Sequence, residues 1–346
     1  MRKVAFASIL LMLCILSACS GVDNKNVDLN QAETPVVYEP VTLTINSSGQ
    51  LNYAPIYFAM KEGYFEEFGI TLEIIQFNKT TEAIPLLVSG QLDVYAGSLG
   101  TGLINVLGQS PYVKVVADRG QQTPGACTFN AILVRKDLYE SGEVTSPEDL
   151  KGLTVDCNDS STEGYYIATY LGGAGLTFND VVLSDLPTAA LFDAVVNKTV
   201  DVIVSPELTL SRLINQGNVV ILARSEEVVG NFQSSVLAYG KRLVTDDPEI
   251  GVRFMAAYLK GVTQYNLGKT ERNLQLLAEV TGESVETVKN ACWVPIRSDG
   301  QINFSSVDKY QRWSLEQGFL DQVITEEQFW DPKFLSAATQ LLENQP

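Results

Sequence analysis

Residues 41–60 read VTLTINSSGQLNYAPIYFAM, and residues 153–172 read LTVDCNDSSTEGYYIATYLG. Each stretch opens on a β-branched run, crosses a polar loop, and enters apolar residues at helical spacing. In the first, a strand over 41–46 leads into Ser47-Ser48-Gly49-Gln50-Leu51-Asn52, and the helix that follows stops at Gly63 as a C-cap would. In the second, a strand over 153–157 leads into Asn158-Asp159-Ser160-Ser161-Thr162, and the helix runs to Gly172-Gly173. The order then repeats. A strand over 71–77, a helix over 80–89 and a strand over 92–96 are matched by a strand over 181–184, a helix over 188–197 and a strand over 200–204. Tyr57 and Ala59 align with Tyr166 and Ala168, and Leu92-Asp93-Val94 with Val200-Asp201-Val202, at an offset of about 108 to 111 residues. One amphipathic unit resembles another by chance; two in succession at one offset do not.

Alternating strands and helices predict a parallel sheet in each half, with right-handed crossovers. Ligands in such sheets bind outside the carboxyl ends of the strands. Two sheets facing each other would gather those loops around one cleft. Segments 117–134 and 231–239 flank the second unit and contain extended stretches, so they read as two interlobe crossings, a hinge that can close over a ligand. After Asp247-Pro248 the pattern is helical over 250–267, 273–280, 284–292, 305–315 and 326–341. These helices are expected on the first lobe, to which the chain has returned. The division is therefore 41–125 for lobe 1, 126–230 for lobe 2, and 231–346 for the return to lobe 1 with its C-terminal helices.

Ahead of this lies an export signal. Arg2 and Lys3 precede an apolar run over 4–16 that is too short to span a bilayer. Leu16-Ser17-Ala18-Cys19 has the form of a bacterial lipobox, which implies cleavage after residue 18 and lipid on Cys19. Residues 19–40 are polar, with Gln31, Glu33, Pro35 and Pro40, and read as a flexible tether. The expected location is outside the cytoplasm, anchored to the cell membrane by lipid.

Charge and composition exclude several functions. The formal net charge is −17, and −19 once Arg2 and Lys3 leave with the signal. A sequence pI near 4.4 argues against nucleic acid and against adhesion to anionic lipid. The chain has no histidine, which removes Ser-His-Asp and Cys-His catalysis and His-based metal sites together. No phosphate-loop, dinucleotide or nucleophile-elbow motif occurs. No catalytic residue, metal or cofactor is expected. Of five cysteines, Cys14 lies in the signal and Cys19 takes lipid, leaving Cys127, Cys157 and Cys292 for one bridge at most. Cys127 and Cys157 sit on predicted strands of the same lobe and are the first pairing to expect; three unpaired thiols are the alternative.

The stretch Leu51-Asn52-Tyr53-Ala54-Pro55-Ile56-Tyr57-Phe58-Ala59-Met60-Lys61-Glu62-Gly63-Tyr64-Phe65 closely resembles the nitrate/sulfonate/taurine and thiamine-pyrimidine-precursor binding-protein family. So do Ser89-Gly90-Gln91-Leu92-Asp93-Val94, Val115-Val116-Ala117-Asp118-Arg119-Gly120, Asp149-Leu150-Lys151-Gly152 and the helix after Asp247-Pro248-Glu249. The resemblance implies an α/β, two-lobed periplasmic-binding type II fold without catalysis, delivering a small molecule to the permease and ATPase of an ABC importer. A monomer is expected. Fungal pyrimidine synthases look similar along the first lobe, but depend on histidine and a cysteine-rich motif absent here. A sensory binding lobe is the other alternative.

Four loops are expected to line the cleft: 47–53, 97–101, 158–165 and 205–208. The candidate ligand residues are Ser48, Gln50, Asn52, Tyr53, Ser98, Thr101, Asp159, Ser160, Ser161, Thr162, Tyr165 and Glu207. The free N–H groups at the helix after Thr162 suit an anion. Yet none of the four loops carries Lys or Arg, while Asp159, Glu163 and Glu207 add negative charge. Arg119, at the hinge, is the only nearby candidate cation for a ligand, with a solvated hinge charge as the alternative reading. Tyr53 and Tyr165 offer flat faces for contact, whereas Tyr57 and Tyr166, a turn into their helices, are expected to pack. These residue types favour a planar, pyrimidine-like solute over an alkyl sulfonate or nitrate. Glu207 equally suits capping of a helix starting near Thr209, and Trp293, among apolar neighbours, is expected in the core.

Overall fold

β1 (Val41–Ser47) pairs in parallel with β2 (Ile70–Gln76) on one side and β3 (Val94–Ser98) on the other. β4 (Lys114–Gln122) closes this sheet on the far edge. The chain then leaves to build a second sheet from β5 (Asn130–Arg135), β6 (Thr154–Asp156), β7 (Val182–Ser184), β8 (Val202–Pro206) and β9 (Val219–Arg224). It returns as β10 (Phe232–Tyr239), which inserts between β3 and β4. The strand orders are β2-β1-β3-β10-β4 and β7-β6-β8-β5-β9. This computed structural model describes residues 37–47, 49–77 and 80–345. The expected signal peptide, Cys19, most of the tether and Ser48 lie outside the described residues.

The two orders are the same pattern. Three parallel strands come first, then one antiparallel strand (β10 or β5) delivered by a crossing from the other lobe, then an edge strand. The repeat in the sequence has a physical cause at Asp93 and Asp201. The Thr44 amide donates to Asp93 Oδ2 at 2.9 Å, and the Thr154 amide donates to Asp201 Oδ2 at 2.9 Å. Arginine then holds each carboxylate, Arg242 at 3.4 Å on Asp93 and Arg135 at 2.6 Å on Asp201. Each aspartate thus locks the first parallel strand of its unit to the third, β1 to β3 and β6 to β8, and each arginine adds the chain at the end of the antiparallel strand. An Asp at this point satisfies backbone donors at the start of a buried ladder, where water is excluded.

Helices cover both faces, as buried parallel strands require. Pro248–Asn266 is the longest, and it lies across Ala54–Lys61 closely enough that a Cβ at Gly261 would sit 2.1 Å from the Pro55 carbonyl oxygen. The helices Phe304–Glu316 and Lys333–Glu343 also pack on the first sheet or its helices. The predicted continuous helix over 326–341 is two pieces, Glu326–Phe329 and Lys333–Glu343, because Pro332 cannot continue a helix and biases the residue before it away from helical geometry. β4 and β9 were not expected as full strands. The Asp118–Gln122 part of β4 is polar, and period alone does not mark a short edge run such as 219–222.

The cysteine pairing differs from expectation. Cys127 is bonded to Cys292, with Cα atoms 5.4 Å apart, and Cys157 is a buried free thiol. Cys127 does not lie on β5 but in the crossing before it, beside the returning segment, whereas Cys157 directly follows β6 inside the second lobe. Burial raises the Cys157 thiol well above its usual range, with Asp156 adding to the effect. That thiol is not available as a thiolate partner.

Candidate functional site

The first lobe's cleft end is a network of buried polar groups. Asn46 spans β1 and β3, donating from Nδ2 to the Ala96 carbonyl at 2.9 Å and accepting the Ala96 amide at 2.7 Å. The Tyr53 hydroxyl donates to the same carbonyl. The Ser47 and Tyr57 hydroxyls lie 2.7 Å apart. Burial raises the Tyr57 phenol above its ordinary value despite the Ser47 hydrogen bond, so it stays neutral. The short turn Leu51–Tyr53 therefore enters the helix Ala54–Lys61 with its side chains already committed inward, and Pro55 fits the first helical turn.

Asn52 and Tyr53 together hold Arg119. The Arg119 side chain is fully buried rather than solvated. Its Nη1 donates to Asn52 Oδ1 at 2.9 Å, and the guanidinium carbon stands 4.3 Å from the centre of the Tyr53 ring. Asn52 Nδ2 in turn donates to the Ser235 hydroxyl at 2.9 Å. Ser235 is in register with Ser98 on β3 and beside Gly120 on β4, so this cation lies level with the strand end that carries the 97–101 loop. The preceding residue faces the other way: Asp118 accepts from the amides of Gly120 and Arg297 and from Gln233 Nε2, all within 2.8 Å. Burial nonetheless pushes the Asp118 carboxyl up to about 6.

The second lobe supplies the loop at residues 158–161. Ser161 caps the helix Thr162–Gly172, accepting the Gly164 amide at 3.2 Å. Asn158 Oδ1 accepts from the Ser160 amide and hydroxyl at 3.1 and 2.9 Å. Gly164 is required here, since a Cβ would stand 2.2 Å from the Asp159 carbonyl oxygen. This loop touches the first lobe directly. The Ser160 carbonyl accepts from Thr101 Oγ1 at 3.1 Å and from the Tyr310 hydroxyl at 2.9 Å. Tyr165 continues the contact, its ring 5.0 Å from Trp313, 5.4 Å from Phe232 and 5.5 Å from Tyr310. Tyr166 is buried and accepts from Gln122 Nε2 at 2.9 Å.

Of the residues singled out by sequence, Asn52 and Tyr53 are thus brought against Arg119, and Thr101 against Ser160. Gln50, Ser98 and Asp159 are half-buried near these groups. Buried Thr162 donates from Oγ1 to Glu163 Oε2 at 3.1 Å. Glu207 stands apart from the Arg119 group. Its carboxylate accepts the Ser211 amide and hydroxyl at 3.2 and 3.0 Å, capping the helix Thr209–Asn215, and accepts the Cys292 amide at 3.1 Å. Burial holds its carboxyl above the ordinary value. Trp293 is half-buried and stacks on Tyr265 with centroids 5.3 Å apart. Tyr310 and the burial of Arg119 are what sequence reasoning missed. A charged pair, Asp118-Arg119, inside an otherwise apolar strand was the available signal for the second; nothing local marked the first.

Three comparisons relate this chain and its fold to known proteins. A family model described as NMT1/THI5 like matches residues 50–267. The riboflavin-binding protein RibY of Chloroflexus aurantiacus is 21% identical over 264 residues, which cover 73% of this chain and 71% of that protein. Among solved structures, the periplasmic nitrate-binding protein NrtA from Synechocystis PCC 6803 superposes with a TM-score of 0.70 at 14% identity, covering 89% of this chain and 90% of that one. The desulfurization enzyme DSZB superposes with a TM-score of 0.63 at 14% identity, covering 87% and 99%. The two-lobed fold is therefore the one both binding proteins and an enzyme use. No helix among the described residues is long and apolar enough to cross a membrane.

Proposed function

Since this chain belongs to the NMT1/THI5-like family, we propose that it is the lipid-anchored, extracytoplasmic solute receptor of an ABC importer, handing its ligand to a permease and ATPase pair. The observation that carries this reading is the contact of loops from two separate sheets at Ser160, where Thr101 and Tyr310 of the first lobe meet the second. Such contacts exist only when the lobes are drawn together, and two crossings allow them to part. The solute is small, planar and heteroaromatic, pyrimidine-like or larger. A guanidinium stacked on Tyr53 and the half-buried Tyr165 ring at the lobe contact support that class over an alkyl chain. The relationship to a riboflavin-binding protein points the same way. The lipid anchor at Cys19 rests on the Leu16-Ser17-Ala18-Cys19 tetrad.

The test is thermal unfolding and small-angle scattering with pyrimidines, flavins, alkyl sulfonates, nitrate and polyamines. A solute at about a hundred times its Kd adds roughly 2.7 kcal/mol to stability, and closure lowers the radius of gyration. A panel producing neither change, with no solute retained in native mass spectrometry, sinks the proposal. The fold shared with DSZB makes an enzyme the second reading. With no histidine in the chain, turnover of a bound solute without added metal would be needed to establish it.

A further inference from the structure

Arg119 is a fully buried cation whose charge the fold leaves half used. Nη1 is bonded to Asn52, but Nε and Nη2 have no hydrogen-bond partner. No acidic side chain among the described residues forms an ion pair with it, and the adjacent Asp118 is turned away and engaged by Gly120, Gln233 and Arg297. A buried donor left unmet is costly, and a buried charge without a counter-charge more so. The two vacant groups are not scattered. Nε–H and Nη2–H point along the same edge of the guanidinium, the edge that receives two oxygens of one planar acceptor side by side. The other contacts fix that edge in place. Asn52 holds the opposite corner, the Tyr53 ring lies beneath the plane, and the Asn52–Ser235 bond ties the group to the strand end at Ser98.

We propose that Arg119 is a solute-recognition residue, and that the solute presents to its free edge a paired-oxygen anionic group, such as a carboxylate or phosphate carried by the planar ring system. This rests on the solute-receptor reading and adds the charge of the ligand to it. The four expected cleft loops hold no Lys or Arg, so the counter-charge comes from β4 rather than from a loop. Asn52 and Tyr53 act as positioning residues, since each touches the guanidinium and is itself bonded elsewhere.

Matched pairs of probes separate the charge from the ring: orotate against uracil, and flavin mononucleotide against riboflavin. Titration calorimetry on the full chain is expected to show the anionic member of one pair binding about thirty-fold or more tighter than its neutral partner. In Arg119→Met that preference disappears, while Arg119→Lys, which keeps charge but not the side-by-side donors, retains only part of it. Unfolding midpoints of both variants without solute show whether the fold survives; Arg119→Met, freed of an unpaired charge, is expected to unfold no earlier than the parent. Equal affinity for charged and neutral members, an unchanged Kd in Arg119→Met, or a co-purified solute without an anionic group would overturn the assignment of Arg119 and leave the receptor reading standing. Binding of no probe together with no retained solute overturns both.

Discussion

Breaking the Cys127–Cys292 bond tests how much of this molecule's stability is held across its hinge. The bridge joins the first interlobe crossing to the segment that follows the returning helices, so the closed loop contains the whole second sheet. With a sequence separation of 165, the chain-entropy relation for cross-links gives a ceiling of about 5 kcal/mol at 25 °C. Native bridges commonly deliver ~2–4 kcal/mol of that. The 5.4 Å Cα separation lies in the ordinary range for a bridge. A Cys127→Ser/Cys292→Ser chain, or the parent in reductant, should therefore lose ~2–5 kcal/mol in urea unfolding. The Cys292 amide should still donate to the Glu207 carboxylate, since that bond uses the backbone N–H of residue 292 and not its thiol. Cys157 provides the internal control: buried and held protonated, it should resist thiol reagents in the folded oxidised protein and react only on unfolding. An oxidised and a reduced protein with coincident urea midpoints would refute the reasoning, as would ready labelling of Cys157 in the native state.

Three further outcomes are expected. Gly261→Ala forces a methyl to within 2.1 Å of the Pro55 carbonyl oxygen, a backbone atom that cannot step aside, so thermal unfolding should show a loss of ~3 kcal/mol or more; a midpoint within a degree or two of the parent's contradicts that packing. Tyr310→Phe removes one hydrogen bond that exists only between the lobes, worth ~1 kcal/mol, and should weaken solute affinity about fivefold without moving the unfolding midpoint of the unliganded chain by more than a few degrees. Burial places Asp118 at about 6, above the ~3.9 of an unfolded aspartate. The folded state therefore holds this proton more tightly. The contribution is complete below pH ~4 and lost as pH rises through about 6, amounting to ~3 kcal/mol. The stability difference between parent and Asp118→Asn should change across that window and be flat above pH 7; a difference independent of pH from 4 to 7 contradicts the burial of a titrating carboxyl there.

The duplicated architecture was legible because its causes are local and repeat. β-branched runs, the Gly63 stop, and the Asp93 and Asp201 latches each act within a few residues or at a fixed offset, and a pattern that occurs twice is read twice. The charge balance, which argues against nucleic acid, and the absence of histidine, which removes histidine chemistry, likewise needed no coordinates. The tertiary structure decided what depends on approach between distant segments. Cys292 lies 165 residues from Cys127 yet is its partner, because the returning chain passes the first crossing. Tyr310 reaches Ser160 across 150 positions. Arg119 reads as a hinge charge in one dimension and is enclosed by Asn52 and Tyr53 in three. Sequence spacing carries periodicity and chemistry; it does not carry the burial of a charge, which is set by which surfaces the folded chain presses together.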